Sequence, residues 1–258
     1  MSLGPGRKSF MVPEAFNVLI PAEVVFGYRT YLDLIPDLLV GKKVFASGMR
    51  REVERCGAAI DHALAGYLTV LVSSGDAGIY GMAGLVLDIC RERGLRAGRV
   101  PFEGPQPTVD FFLRVIPGVA ALNAAASLVG APLMHDFAAV SLSDHLTPWE
   151  LIEKRLAAAA AADFVLAIYN PRSKSRPHLL ERAQELLLRL KDPETPVAIV
   201  RKAMRDDQWT HLITLAHIPF DQVDMQSILI VGNSRTYVWD GWMVTPRGYL
   251  DKYSVPEE

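Results

Sequence analysis

Thr69-Val70-Leu71-Val72 followed by Ser73-Ser74-Gly75-Asp76-Ala77-Gly78-Ile79-Tyr80-Gly81 has the make-up of a buried strand running into a backbone-exposing turn. Glycines at 75, 78, 81 and 84 recur at every third position, and a helix is expected from about Met82. Glycine lets the backbone approach a ligand closely, and the amides at a helix start supply donors. The spacing is not the dinucleotide fingerprint G-x-G-x-x-G, and without Gly-Lys-Ser/Thr it is not a phosphate loop. The residues alone leave two readings open, a ligand-binding turn and a plain strand-to-helix connection. Asp76 is equally open, as a ligand contact or as the cap of the following helix. Two further turns carry weaker signals, Leu3-Gly4-Pro5-Gly6 and Pro117-Gly118-Val119. The second precedes Ala120-Ala121-Leu122-Asn123-Ala124-Ala125-Ala126, where small residues permit close helix packing or leave room for a flat ligand.

These turns need a scaffold. Strand-like runs recur at residues 23–26, 69–72, 164–168, 197–200 and 228–231, with helical patterns between most of them. The alternation predicts an α/β fold whose apolar strands are covered on both faces. Thr147-Pro148-Trp149-Glu150 reads as a helix start, with Thr147 as N-cap, Pro148 at the first helical position and Glu150 closing a capping box. That helix is expected to run to about Ala162. The pattern breaks at Gly104-Pro105-Gln106-Pro107 and at Pro117-Gly118, with a short apolar segment, residues 111–116, between. Two α/β domains are therefore expected, residues 1–113 and 114–258. A crevice between two such domains is a natural ligand site.

The bulk properties narrow the partners. With 258 residues, 50% hydrophobic and 22% charged, the chain has ordinary globular composition. Its 27 basic and 29 acidic side chains give a formal charge of -2, so there is no global basic field for a nucleic-acid backbone. Cys56 and Cys90 lack metal-ligand spacing and are too few for a disulfide framework. No metal site is expected. There is no apolar run of membrane-span length and no signal-like segment. A cytoplasmic protein is the expectation.

The turns, in order, resemble the tetrapyrrole methylase family of S-adenosyl-L-methionine-dependent enzymes. That family opens with a G-x-G-P-G turn and follows with a strand and G-D-P, then P-G-V, then a Gly-x-Pro-Leu segment. The counterparts here are Leu3 to Gly6, Gly75-Asp76-Ala77, Pro117-Gly118-Val119 and Gly130-Ala131-Pro132-Leu133. Five further blocks are similar to the branch that methylates carbon 17 of a corrin precursor and contracts the ring. They are His135-Asp136-Phe137, Ser141-Leu142-Ser143-Asp144, Thr147-Pro148-Trp149-Glu150, Tyr169-Asn170-Pro171-Arg172-Ser173 and Thr245-Pro246-Arg247-Gly248-Tyr249. The resemblance spans essentially the whole chain.

It implies two α/β domains with the cofactor folded in the cleft between them, a homodimer, and S-adenosyl-L-homocysteine as product. Gly4, Pro5, Gly6, Ser74, Gly75, Asp76, Ile79 and Tyr80 would then hold the methionine part. Ala120 and Ala121 would line the cofactor, Asn170 would close over the adenosine, and Lys202, Ser227 and Ile228 would serve the adenine. The substrate would be a tetrapyrrole rich in carboxylates, met by basic groups such as Arg29, Arg172 and Arg247, with Arg50, Arg51, Lys174 and Arg176 also near the motifs. Ring contraction needs a hydroxyl at carbon 20 to lose its proton, and His135, Asp136, Asp144 and Tyr169 are the candidate bases. A cobalt-containing form of the substrate, another ring position, a peptide substrate as in diphthine synthesis, and a cleft that binds without turnover are the alternatives. Two departures stand out. Ala77 replaces the family's proline, and Arg7-Lys8-Ser9 replaces its acidic and proline residues, with a first strand expected to be cut short at Met1-Ser2-Leu3.

Overall fold

The computed structural model describes residues 1–99 and 108–254, so the expected break at residues 104–107 lies outside the described residues. The chain divides into two compact units, Met1–Ala121 and Leu122–Glu258. The expected division at 113/114 falls earlier, because Ile116 packs in the core of the first unit and Gly118 is bonded to its turns.

The first unit runs α1 (Pro13–Leu19), β1 (Val24–Tyr28), α2 (Arg29–Leu32), β2 (Lys43–Ser47), α3 (Glu52–Leu64), β3 (Thr69–Val72), α4 (Ala83–Glu92), β4 (Ala97–Arg99) and β5 (Phe111–Leu113). Its main sheet is parallel, in the order β2-β1-β3, with Val24 opposite both Lys43 and Thr69; β4 and β5 form a second parallel pair. Parallel neighbours need crossovers, which α2 and α3 provide. The central strand β1 is a continuous buried run from Val24 to Gly27, whereas the edge strand β2 is largely exposed. Its parallel register puts the C-terminal ends of all three strands on one edge.

Met1–Leu3 lie extended beside the end of β3. Leu3 N–H donates to Ser73 O at 2.9 Å and Ser73 N–H to Met1 O at 2.9 Å, while Ser2 N–H reaches Ile116 O at 3.2 Å on the other side. Leu3 is buried with Met11, Leu19, Val70 and Val72. Beside Met1, between β3 and residues 111–116, is an apolar cavity of about 390 Å³.

The second unit contains α5 (Ala121–Val129), whose first residue belongs to the first unit, then β6 (Gly130–Ala131), β7 (Phe137–Ser141), α6 (Trp149–Ala161), β8 (Val165–Tyr169) and α7 (Leu179–Leu187). It continues with β9 (Pro196–Arg201), β10 (Trp209–Thr214), β11 (Ser227–Val231), β12 (Tyr237–Trp239), β13 (Trp242–Val244) and α8 (Tyr249–Lys252). Five strands make a mixed sheet, β10-β9-β11-β8-β7, in which only β7 and β8 are parallel. Every residue of the central β11 is buried. Leu142, Leu156, Leu166, Leu180 and Ile199 anchor the core between this sheet and α6 and α7. A small sheet, β12-β13-β6, completes the unit.

The start of α6 differs from expectation by one residue. Pro148, not Thr147, is the N-cap, and no side chain caps the helix. Instead the Pro148 carbonyl accepts the Leu151 and Ile152 N–H groups, and Trp149 is buried under the Arg182 guanidinium, 4.4 Å from the ring centre. Fixed proline geometry and burial of Trp149 make a hydroxyl cap unnecessary.

Candidate functional site

Three turns meet at the end of β3 in the first unit. Gly4 and Gly75 exchange backbone bonds, Gly4 N–H to Gly75 O at 3.1 Å and Gly75 N–H to Gly4 O at 2.8 Å. A Cβ at Gly118 would lie 2.5 Å from both Gly75 O and Ser2 Cβ, so only glycine permits this stacking. The fully buried Ser2 hydroxyl donates to Ile116 O at 2.6 Å and accepts the Ala77 N–H at 2.8 Å. Proline has no N–H to give. Alanine at 77 is therefore matched to Ser2, a residue that no sequence pattern singled out.

Asp76 completes the junction. Its Oδ1 accepts the Gly78 N–H at 2.7 Å and its Oδ2 the Gly118 N–H at 2.9 Å. The first bond is an Asx turn and the second ties the Pro117-Gly118 turn to it. The alternative of a helix cap does not form, since α4 starts from Met82 without a side-chain cap.

At the junction, a side chain on Gly75 would face backbone at ordinary contact distance. Gly75 has φ +62°, and a Cβ there would meet nothing nearer than Ala121 N at 3.7 Å and Ala120 Cα at 3.9 Å. Ile79 and Tyr80 follow at 38% and 53% exposure, Tyr80 in the left-handed region at φ 52°. Ser74 is half-buried and Pro5 and Gly6 are buried. Small residues, backbone amides and exposed apolar side chains suit a ligand that is part polar and part apolar. S-adenosyl-L-methionine has this character. Arg29 is exposed at the start of α2, on the same strand-end edge of the sheet.

In the second unit, one edge of the five-stranded sheet gathers most of the other candidates. Ser141 ends β7 opposite Tyr169, which ends β8. On β9 and β11, Arg201 lies opposite Ser227, so Lys202, Ser227 and Ile228 share that edge. Asn170 Nδ2 donates to Ser141 Oγ at 2.9 Å, and Tyr169 Oη accepts the Leu122 N–H at 3.1 Å. Asn170 and Lys202 both have left-handed backbones, φ 50° and 51°. Such conformations cost energy in residues with a Cβ and gather at functional sites. Arg176 Nη1 donates to Ser143 Oγ at 2.6 Å and to Asp144 Oδ1 at 3.2 Å, fixing the loop after β7. Lys202 is ion-paired with Asp207. Beside it, Arg201 Nε donates to Asp224 Oδ2 at 2.8 Å. Burial pushes the Asp224 carboxyl up, but Arg201 and the Gln226 and Ser227 donors outweigh it and hold it below the ordinary carboxylate range.

The four candidate bases are not brought together. His135 and Asp136 precede β7, at the end opposite Ser141, about 16–20 Å away along an extended strand. Both are exposed, and His135 Nδ1 accepts the Asp136 N–H at 2.8 Å. Asp144 and Tyr169 lie at the edge that carries Asn170. The arginines also separate. Arg172 donates to Pro177 O at 3.1 Å and Phe220 O at 2.8 Å, binding its own loop to the 220 turn, while Arg247 is exposed.

Comparison with known proteins adds to this geometry. The family model for tetrapyrrole (corrin/porphyrin) methylases matches residues 2–219. A protein of Salmonella typhimurium named probable cobalt-factor III C(17)-methyltransferase is 50% identical over 249 residues, covering 96% of this chain and 98% of that one. A precorrin-3B C(17)-methyltransferase of a Sinorhizobium species is 38% identical over 251 residues, covering 95% and 94%. The crystal structure of the methyltransferase CobJ superposes with a TM-score of 0.85 at 35% identity, covering 95% of this chain and 97% of that one.

Proposed function

The chain belongs to the tetrapyrrole (corrin/porphyrin) methylase family, and we propose that it methylates carbon 17 of precorrin-3B, or of its cobalt-bearing equivalent, with contraction of the macrocycle to precorrin-4. The observation that carries this reading is the full-length similarity to C(17)-methyltransferases, 50% and 38% identical. The higher identity to the cobalt-factor III protein favours a substrate that already carries cobalt. When bound, S-adenosyl-L-methionine supplies an electrophilic methyl on a sulfonium.

This chain's residues orient the partners rather than supply a nucleophile. Correct alignment is worth roughly 7–11 kcal/mol of barrier. The Gly75 turn, with Ser74, Ile79, Tyr80, Ala120 and Ala121, holds the methionine part of the donor. Asp76 acts by fixing the Gly78 and Gly118 backbones, with Gly4, Pro5 and Gly6 supporting the same junction. Asn170, Lys202, Ser227 and Ile228 serve the adenosine through backbone and amide groups. Where the substrate bears a carbon-20 hydroxyl, Asp144 takes its proton: Arg176 holds this carboxylate on the loop after β7, whereas the Tyr169 hydroxyl already accepts the Leu122 N–H. Arg176 occupies Oδ1 of Asp144, so Oδ2 is the proton acceptor. His135 and Asp136 have no part in this step.

A homodimer in the cytoplasm belongs to the same reading. The exposed aromatic side chains Tyr237, Trp239, Trp242 and Tyr249 support an association surface, and among the described residues no helix is long and apolar enough to cross a membrane. Light scattering on the purified protein checks the dimer. The activity is tested by incubating the protein with S-adenosyl-L-methionine and either metal-free precorrin-3B or cobalt-factor III. A ring-contracted, methylated product is expected, formed faster from the cobalt form; no product from either overturns the reading.

A further inference from the structure

A guanidinium is buried at the ligand edge of the first unit with a long ion pair to Glu52, at 3.8 Å, as its counter-charge among the described residues. Arg55, in the first turn of α3, is 6% exposed. Its Nη1 donates to Ser47 Oγ and, at 3.2 Å, to Gly48 O, the end of β2. Its Nε is buried and has no partner. Its Nη2 meets the Met82 thioether at 4.0 Å, a weak acceptor, and its nearest carboxylate oxygen, Glu52 Oε1, stands 3.8 Å away. That oxygen already accepts the Arg50 N–H at 3.1 Å. The adjacent Cys56 thiol is pushed up to about 11 by burial and gives no thiolate. An arginine cannot shed its proton, so a buried guanidinium calls for an anion.

The unsatisfied side is the one that recognises carboxylates. Nε and Nη2 project in parallel and form the side-on fork that grips two oxygens at once. The location agrees. Ser47 and Gly48 end a strand of a parallel sheet, at the edge where ligands of such sheets bind, and Met82 follows the Gly75–Gly81 turn. A Cβ built on Gly48, whose carbonyl Nη1 reaches, would meet nothing within 4 Å, so the backbone on the Nη1 side of the guanidinium faces open space. Arg50, exposed in a left-handed conformation at φ 64°, adds a second positive charge, and the 13-residue helix α3 points its N-terminus here.

We propose that Arg55 is a carboxylate-binding residue that grips an acetate or propionate side chain of the tetrapyrrole through Nε and Nη2. The proposal rests on the substrate class given under Proposed function. Met82, unbranched and flexible, covers the fork and swings aside when the carboxylate enters.

The experiment compares wild type with Arg55→Gln and Arg55→Lys. Lysine keeps the charge and loses the fork. Uroporphyrin, a porphyrin bearing only acetate and propionate side chains, is titrated by fluorescence quenching without methyl donor. The KM for the corrin substrate and the Kd for S-adenosyl-L-methionine are measured alongside. Both variants should bind uroporphyrin about tenfold more weakly and raise KM about as much, with kcat and cofactor Kd unchanged. Methyl esterification of the porphyrin carboxylates should weaken wild type more than Arg55→Gln, which has already lost one of the carboxylate contacts. Unchanged porphyrin affinity in both variants overturns the proposal, as does an equal loss on acid and ester. Should wild type bind the porphyrin through Arg55 and yet give no methylated product, the reading of the reaction fails and this subsite stands.

Discussion

Individual side chains divide into those that touch a ligand and those that hold the backbone that does. Asp76 is of the second kind. Its two oxygens accept the Gly78 and Gly118 N–H groups, so Asp76→Ala strands two backbone donors instead of merely deleting a ligand contact. A loss of about 1–3 kcal/mol in stability is expected, measured by urea unfolding, together with weaker S-adenosyl-L-methionine binding by calorimetry. A variant with native stability and reduced affinity would instead make Asp76 a direct contact. Asp144 is of the first kind in our reading, with Arg176 orienting it. Asp144→Asn keeps size and hydrogen bonding but removes the proton acceptor. Methyl transfer should persist while ring contraction slows by about 10²–10⁴-fold, so an uncontracted methylated ring accumulates and is identified by its absorption spectrum and NMR. Equal loss of both steps would remove Asp144 from the role of base.

Elements explain why these residues meet. Gly118 lies far along the chain from Gly75, and the pairing of the Met1–Leu3 segment with both β3 and Ile116, together with the Asp76 bond to Gly118, stacks the turns closely. Gly118→Ala places a methyl 2.5 Å from a backbone oxygen that cannot yield without opening the junction. The variant should fold, because Gly118 is not itself one of the side chains packed in the core around Leu19, Val25 and Val70, yet bind S-adenosyl-L-methionine at least about tenfold more weakly by calorimetry. Native affinity would show that the stacked turns do not shape the cofactor site. Much of this was legible from residue pattern. The glycine spacing marked the turn after β3, and continuous apolar runs marked β3, β8, β9 and β11 to within about two residues. Short or exposed strands were not legible. β2 carries mostly exposed side chains, β10 has no fully buried one, and β4, β12 and β13 have three residues each, too few for a period to emerge. The bonds of Ser2 and Arg176 were equally hidden, since each joins segments separated in sequence, and buried Arg55 reads in the sequence as one more surface charge on a helix. The placement of His135 away from Tyr169 follows from a strand, β7, that the pattern did not reveal.

The molecule as a whole is near neutral at pH 7 and becomes strongly positive in acid; within that growing repulsion, particular carboxylates decide where the structure loosens first. Two of them tie the second unit together. Burial pushes the Asp163 carboxyl up, yet the Ser234 hydroxyl and N–H and the Lys191 ammonium hold it below the ordinary range; Asp224 is held down by Arg201 in the same way. A carboxyl whose folded pKa is depressed stabilises the native state above its unfolded pKa, near 3.9, and loses that contribution as pH falls through the folded value. The second unit should therefore keep full stability from neutral pH down to about pH 5 and lose it progressively below about pH 4. Both carboxylates are partly exposed, so the loss is graded and is reduced by salt. Asp224 also anchors Ser227 and Gln226 beside Lys202, so its protonation loosens this edge of the sheet before the core of Leu166, Leu180 and Ile199 opens. Hydrogen exchange between pH 3 and pH 6, corrected for the intrinsic pH dependence of the amides, reads this directly. Protection at Gln226 and Ser227 should fall first, and Asp224→Asn should show the loosened state already at neutral pH. Simultaneous loss of protection at these amides and in β11 would show instead that Asp224 contributes only to global stability.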